Sequence, residues 1–293
     1  MRRPAFAFAL ALAALPSPGC GGNGGEDPTP RPRLRADDTP ALELSADDAT
    51  EWLPDAIVGR GGTLHGDAVH YFAADSATTG YLAVPRGTGP FPGVILIHEW
   101  GGLVDRIRQV ADDLAEHGYV VLAADLYSGR TGTTPQENHA LMEETGANPQ
   151  RMIDNLDAAA AFLRARTDAT GSVATIGWCY GGGIALSYAM GGENHEGTAI
   201  FYGRLVTDPV ELRSIRHAVY GTFAAKDQGI PPAEVEQFVG ALRQVGIPND
   251  VHVYDDVDHG FWLWVDQEPE VRAAPALDAW ERLLRYLHQN LSD

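Results

Sequence analysis

The chain has 293 residues, of which 44% are hydrophobic, enough to bury one large core. Its formal net charge is -19, which argues against a nucleic-acid-binding protein and against a polybasic membrane-binding patch. We interpret the excess of acidic residues as a well-hydrated surface. Only two cysteines occur, Cys20 and Cys179, and their contexts differ so much that we expect no internal disulfide.

The first forty residues have the composition of a targeting segment followed by a tether. Two arginines precede an apolar run at 5–15 that is too short to span a bilayer. Small and turn-forming residues then lead to Cys20, an arrangement similar to a bacterial lipoprotein signal, in which that cysteine becomes the lipidated first residue. We therefore expect a signal peptide at 1–19, lipidation at Cys20, and an exported protein that is periplasmic or membrane-anchored. Residues 20–40 are rich in Gly and Pro and are expected to form a flexible tether.

Segments typical of strands and helices alternate from residue 41 to the end of the chain. Strand-like runs, several of them apolar throughout, lie at 68–73, 80–84, 93–97, 119–124, 173–176, 198–202, 218–223 and 251–254. The first two are expected to pair as a hairpin, and amphipathic helix patterns separate the later ones. This alternation predicts an α/β fold with a doubly wound, mostly parallel sheet. We expect a single domain at 41–293 without a large cap, in which residues 126–149 overhang the functional site.

The run Gly-Trp-Cys-Tyr-Gly-Gly at 177–182 joins a predicted strand to a predicted helix at 184–190. This is the pattern of the nucleophile elbow of α/β-hydrolases, with Cys179 in place of the usual serine. Glycines on both sides permit the strained turn that lifts the side chain above the edge of the sheet. The following helix would direct its N-terminal dipole at the sulfur and favour the thiolate. The alternative is a small buried cysteine in a glycine-rich turn.

An α/β-hydrolase sheet supplies the acid and then the histidine after the nucleophile in chain order. Asp227 and His259 each follow a predicted strand, at the ends where sites in such sheets collect. We expect His259 to take the thiol proton and later to protonate the leaving oxygen, while Asp227 orients the imidazole. Three rival acids lie too near His259 in sequence to match the expected loop: Asp255, Asp256 and Asp258.

The end of the 93–97 strand normally supplies a second backbone donor in this fold. The N–H groups of Trp100 and Tyr180 are therefore the expected oxyanion-hole donors. His98 directly follows the same strand, and we expect it to be structural. No metal site and no organic cofactor is expected.

Four ordered motifs resemble the dienelactone hydrolase family, the carboxymethylenebutenolidases. They are Ile-His-Glu-Trp-Gly-Gly at 97–102, the elbow at 177–182, Asp227, and His-Gly-Phe at 259–261, and Phe-Tyr-Gly at 201–203 is a further likeness. The resemblance extends from residue 68 to the end of the chain. It implies an α/β-hydrolase that cleaves carboxylic esters or lactones without metal or organic cofactor, by forming and hydrolysing an acyl-thioenzyme.

By the same resemblance, Cys179, Asp227 and His259 form the catalytic triad. The resemblance further implies that Glu99 contacts the resting thiol and helps to deliver its proton when substrate arrives. This arrangement would limit oxidation of the sulfur in an exported protein. The alternative for Glu99 is an ion pair with a nearby arginine.

Two departures from the family pattern bear on the substrate. Family members that act on dienelactone hold its free carboxylate with arginines, one of them four residues beyond the catalytic histidine, where this chain has Leu263. Near the expected place of the other, ahead of residues 139–142, only Arg130 occurs. We therefore expect a neutral small-molecule ester, lactone or enol ester. We also expect a monomer with no nucleic-acid partner, in contact with a membrane only through the lipid on Cys20.

Two other functions remain open at this stage. A cysteine peptidase or amidase uses the same elbow, although the glutaminase-like group carries histidine directly after the cysteine, where Tyr180 stands here. A non-catalytic lipoprotein that binds a ligand through a retained pocket is the second. The intact set of Cys179, Asp227 and His259 argues against it, since losing one member of such a unit costs several orders of magnitude in rate.

Overall fold

The computed structural model describes residues 40–192 and 194–292. The predicted signal peptide at 1–19, the predicted lipidation at Cys20 and all but the last residue of the predicted tether at 20–40 lie outside the described residues. Within the two described ranges, every helix is too short or too polar to traverse a bilayer.

A single eight-stranded sheet organises the domain. Its strands in chain order are β1 (Asp67–Val69), β2 (Gly80–Ala83), β3 (Phe91–Ile97), β4 (Val120–Ala124), β5 (Ala169–Trp178), β6 (Gly197–Phe201), β7 (Val219–Ala224) and β8 (Asn249–Tyr254). Their order across the sheet is β1-β2-β4-β3-β5-β6-β7-β8. β2 is antiparallel to both of its neighbours, whereas all pairings from β4 through β3 to β8 are parallel. The predicted mostly parallel sheet is confirmed.

The early hairpin is also present, but its first strand is shorter than predicted. It ends at Val69, and only three residue pairs join it to β2. The apolar pattern continues through Tyr71 and Phe72 because these side chains pack into the core and do not pair in the sheet.

Helices cover both faces of the sheet. They are α1 (Ala46–Thr50), α2 (Asp105–Glu116), α3 (Pro135–Gly146), α4 (Pro149–Arg164), α5 (Tyr180–Gly191), α6 (Pro209–Leu212), α7 (Pro232–Gln244) and α8 (Pro269–Leu291). Helices α1, α2 and α8 pack on one face, and α4, α5 and α7 pack on the other. In β3, Val94 and Leu96 face the first group while Ile95 and Ile97 face the second. Burial on both faces explains why this strand is apolar throughout.

The parallel strands end at one edge of the sheet, and this edge positions the functional residues. The loops after β3, β5, β7 and β8 carry Glu99, Cys179, Asp227 and His259 respectively. Such an edge is where ligands bind in open α/β sheets. The segment after β4 contains α3, which reaches over the same edge, because its His139 meets the ring of Trp100 edge-on at 5.3 Å.

Candidate active site

The turn between β5 and α5 places Cys179 in a strained backbone conformation, with φ 54° and ψ -118°. Two glycines make this turn possible. A Cβ atom on Gly177 would lie 2.1 Å from the carbonyl oxygen of Gly181, and one on Gly181 would lie 2.2 Å from that of Ile97. The Cys179 N–H donates to the Phe201 carbonyl at 2.9 Å, which ties the turn to the end of β6. The geometry is that of a nucleophile elbow.

Asp227 holds the imidazole of His259 in a defined orientation. The Nδ1–H of His259 donates to Asp227 Oδ2 at 2.7 Å. The other carboxylate oxygen accepts the backbone N–H groups of Gly229 at 2.8 Å and Ile230 at 3.2 Å. Burial would raise the pKa of Asp227, which is 6% exposed, but the hydrogen bond and charge of His259 and the two backbone N–H groups together outweigh it and lower that pKa. Asp227 is therefore an ionised acceptor that fixes both the tautomer and the direction of the ring.

The imidazole of His259 interacts with both the acid and the sulfur. Burial of the ring would lower its pKa, but hydrogen bonds with Asp227 and Cys179, together with their negative charges, raise the pKa of His259 to about 10. Tyr202 closes one side of the ring, edge-on at a centroid distance of 4.9 Å. This environment favours a proton on the ring, as a base that takes the thiol proton requires.

The rival acids serve other purposes. Asp256 pairs with Lys226 at 3.2 Å and Asp258 pairs with Arg272 at 3.0 Å. Asp255 is exposed. The structure therefore brings Asp227, and not its rivals, to the imidazole.

Glu99 is held by a residue that the sequence did not single out. Its Oε2 accepts the indole N–H of Trp264 at 3.1 Å. Burial raises the pKa of Glu99, whereas the bond from Trp264 and the charges of His259 and Arg106 oppose the rise. Arg106 itself pairs with Asp266 at 2.7 Å, so the alternative of an arginine partner for Glu99 is not what the structure contains. The contact between Glu99 and the thiol stays a prediction.

Trp264 was missed because it belongs to an aromatic run, Phe-Trp-Leu-Trp at 261–264, that reads as core. The other three residues of the run are buried, while Trp264 is only partly so. Its spacing of five residues from His259 was the available signal, since it lies in the same loop as the predicted base.

The expected oxyanion donors lie in two short loops beside the elbow. Tyr180 is the first residue of α5, where the backbone N–H has no partner within the helix. Among residues 40–192 and 194–292, neither its N–H nor that of Trp100 donates a hydrogen bond in a turn, loop or cap. The loop that carries Trp100 is closed by the Gly102 N–H, which donates to the Glu99 carbonyl at 3.2 Å. Both groups are thus available to a substrate oxygen.

His98 occupies a structural position, as its sequence context predicts. It is fully buried, its Nδ1 bonds the Glu99 carbonyl at 2.6 Å, and its Nε2 accepts the Leu126 N–H at 3.3 Å. Burial lowers its pKa, so the ring stays neutral and joins the loops after β3 and β4.

The two positions that bear on substrate charge behave differently from each other. Leu263 is 1% exposed and packs into the core, so its side chain does not line the site. Arg130 makes two hydrogen bonds to Glu144, at 2.8 and 2.7 Å, which satisfies its charge.

The hydroxyl of Tyr127 lies close enough to Cys179 for their charges to interact. It is buried without a hydrogen-bond partner in the described part of the chain. Within those residues, no three His, Cys, Asp or Glu side chains converge as metal ligands.

Comparisons with known proteins found a matching family and several relatives. The model of the dienelactone hydrolase family matches residues 78–291. Two similar bacterial proteins bear the name "Putative carboxymethylenebutenolidase". The one from Methylorubrum extorquens is 32% identical over 228 residues, which are 73% of this chain and 78% of the relative. The one from Synechocystis sp. is 30% identical over 230 residues, covering 72% of this chain and 92% of the relative.

Solved structures show the same likeness. The crystal structure of a "Putative Dienelactone Hydrolase" from Klebsiella pneumoniae has a TM-score of 0.66 at 25% identity. The alignment covers 78% of this chain and 100% of that chain. A dienelactone hydrolase-like promiscuous phosphotriesterase from metagenomic libraries has a TM-score of 0.70 at 21% identity, covering 79% of this chain and all (100%) of its own. The second comparison supports the fold alone.

Proposed function

Because the chain belongs to the dienelactone hydrolase family, it is a hydrolase of the ester or lactone type, and we propose that it acts through Cys179, His259 and Asp227. The observation that carries this proposal is the 2.7 Å hydrogen bond from His259 to Asp227, on a ring whose pKa is also raised by the Cys179 sulfur. A nucleophile, a base and a residue that orients the base would then act together at one edge of the sheet.

In the first half of the reaction, His259 takes the proton of the Cys179 thiol, and the sulfur attacks the carbonyl carbon of the substrate. A C–S bond forms, and the carbonyl π electrons move to oxygen, where the N–H groups of Trp100 and Tyr180 stabilise the charge. As the tetrahedral adduct collapses, the C–O bond of the ester breaks and the His259 imidazolium protonates the leaving oxygen. The product of this step is an acyl-thioenzyme and a free alcohol or enol.

The second half regenerates the enzyme with water. His259, now neutral, removes a proton from water as the oxygen attacks the thioester carbonyl. The second adduct expels the Cys179 sulfur, which takes its proton back from the imidazolium. Asp227 remains ionised throughout, because its lowered pKa opposes proton uptake from the ring.

Glu99 completes this proposal as the group that contacts the resting thiol and helps to deliver its proton. Support comes from its location in the loop after β3, at the same edge as the elbow, and from the influence of the His259 charge on its pKa. The rate of Cys179 alkylation against pH should differ between the wild type and Glu99→Gln. Two identical curves would contradict the role of Glu99.

We propose a neutral ester, lactone or enol ester as substrate. Three arginines each form an ion pair with a carboxylate of the protein: Arg106 with Asp266, Arg130 with Glu144, and Arg151 with Asp75. A free substrate carboxylate would have to compete with these pairs. The values of kcat/KM for a neutral aryl acetate and for an anionic lactone decide the matter, and a strong preference for the anion would contradict this proposal.

The acyl intermediate is the sharpest test of the mechanism. Mass spectrometry of protein mixed with an activated ester should find one acyl group on Cys179, and Cys179→Ala should carry none and lose ester turnover. Two contrary outcomes would have different meanings. An acyl group on another residue would contradict the nucleophile, and full turnover in Cys179→Ala would contradict the mechanism.

We further propose that the protein is exported, anchored by lipid on Cys20, and monomeric. Support for export and anchoring comes from the composition of residues 1–40, with its apolar run, its cysteine and its Gly- and Pro-rich continuation. The mass of the N-terminal peptide from membranes of a producing bacterium should include a lipid on Cys20, and Cys20→Ala should release the protein from the membrane. Sedimentation of the released protein should report a single chain.

A further inference from the structure

Trp264 connects Glu99 to the loop that carries the catalytic histidine. Its indole N–H bonds the Glu99 carboxylate at 3.1 Å. Its backbone N–H donates to the Gly260 carbonyl at 3.3 Å, one residue beyond His259. One short loop therefore carries both the base and the partner of Glu99.

The indole ring cannot easily turn away from the carboxylate. The guanidinium of Arg106 lies over the ring, 4.5 Å from its centroid. That guanidinium is held by two bonds to Asp266, at 2.7 and 3.3 Å, and by a bond to the Ala56 carbonyl. Arg272 donates to the backbone carbonyl of Trp264 at 2.9 Å, which fixes the main chain at this residue. The indole N–H is thus fixed towards Glu99 before any substrate arrives.

We propose that Trp264 is a positioning residue for Glu99, whose N–H holds the carboxylate at the site in its ionised form and thereby sets the pH range in which Cys179 is reactive. The inference rests on the proposed function and on the part that Glu99 has in it. Trp264 would then contribute to the reaction through Glu99, without contacting the reacting atoms itself.

The electrostatics around Glu99 give the direction of the effect. The charged and titratable groups that face it are His259, Arg106 and Tyr202. Burial keeps Tyr202 neutral by raising its pKa well above 10, so the ionised form of Glu99 depends on the indole N–H and on the two positive charges. Removing the N–H raises the pKa of Glu99, and a protonated Glu99 cannot help to draw the proton from the thiol.

Trp264→Phe tests this directly, because it keeps an aromatic face for Arg106 while removing the N–H together with one ring of the indole. We expect the midpoint of the acidic limb of iodoacetamide alkylation at Cys179 to rise by about one pH unit, the change that the loss of one hydrogen bond to a charged group implies. In Glu99→Gln, adding Trp264→Phe should produce no further shift, since the partner that titrates is gone.

Trp262→Phe is the matched control. Its indole N–H donates to the Ala276 carbonyl at 3.2 Å in the core, away from Glu99, so this variant should lose stability and keep the wild-type midpoint. A wild-type midpoint in Trp264→Phe, while Glu99→Gln moves it, would overturn the positioning role alone. A shift that persists in the Glu99→Gln background would also overturn it. Full ester turnover in Cys179→Ala would instead contradict the underlying mechanism.

Discussion

Asp227 accepts the Nδ1–H of His259 at 2.7 Å while its second oxygen accepts two backbone N–H groups. The acid is thus fixed independently of the histidine and can hold one tautomer of the ring, with Nε2 free to serve the sulfur. This relationship joins the loops after β7 and β8, which lie next to each other in the sheet.

Asp227→Asn should therefore lower kcat for a neutral ester by roughly 10⁴-fold, the size of loss found when the acid of a serine triad becomes an amide and the wrong tautomer results. Folding should be little affected, because the amide oxygen can still accept the two backbone N–H groups. Asp258→Asn is the control, since that carboxylate pairs with Arg272 and not with the imidazole. Comparable losses in both variants would contradict the assignment of the acid.

The titration of His259 should report its contact with the sulfur. Interactions with Asp227 and Cys179 raise the pKa of His259 to about 10. Because Cys179→Ala removes the second of these partners, we expect the ring to titrate at lower pH in this variant, as NMR can measure. A group whose folded pKa exceeds its ordinary value of 6.5 stabilises the fold below that value, and this stability is lost as the pH rises towards 10. Unfolding temperatures should fall over this range less in Cys179→Ala than in the wild type, and equal falls would contradict the coupling.

Two glycines in the first turn of α5 should respond oppositely to alanine. A Cβ on Gly181 would lie 2.2 Å from the Ile97 carbonyl oxygen, whereas one on Gly183 would be 3.4 Å from its nearest neighbours in Arg204. We expect Gly181→Ala to destabilise the protein by about 3 kcal/mol or more through overpacking. Gly183→Ala should stabilise it by up to about 1 kcal/mol through helix propensity. Chemical denaturation measures both, and equal effects would contradict the packing of the elbow against β3.

The carboxyl group of Asp113 should make the stability of the fold depend on pH, independently of catalysis. On α2, it accepts the Ala56 N–H at 3.0 Å. Burial raises its pKa to about 7, the bond from Ala56 opposes the rise, and the neighbouring charges of Asp55, Glu116 and Asp112 add to it. The folded protein therefore holds this proton to a higher pH than the unfolded chain does.

This difference stabilises the fold at low pH and is lost as the pH rises through about 7. Asp113→Asn should raise the unfolding temperature at pH 8 and change it little at pH 4, since an amide resembles the protonated acid. Asp105→Asn on the same helix, at an exposed pair with Arg108, should show no such contrast. An equal change at both pH values would show that Asp113 is not the group responsible.

Much of this architecture could be predicted from the order of the residues. Continuous apolar runs mark strands buried on both faces, because a parallel sheet covered by helices leaves no solvated face, and β3 and β4 follow that pattern. The elbow could also be predicted, because its turn requires glycine at 177 and 181. A Cβ atom at these positions would lie 2.1 and 2.2 Å from a carbonyl oxygen, so no other residue fits. The shorter first strand escaped prediction because Tyr71 and Phe72 are apolar for packing and not for pairing.

By itself, the sequence determined the fold class, the elbow and the order in which the acid and the base follow the nucleophile, since all of these depend on short-range pattern and on strand ends. Only the tertiary structure decided which group each side chain meets. Leu263 proved to be a core residue and Trp264, its neighbour, the partner of Glu99, because consecutive side chains in this turn point in different directions. Contacts between loops far apart in the chain depend on three-dimensional packing that local patterns do not encode.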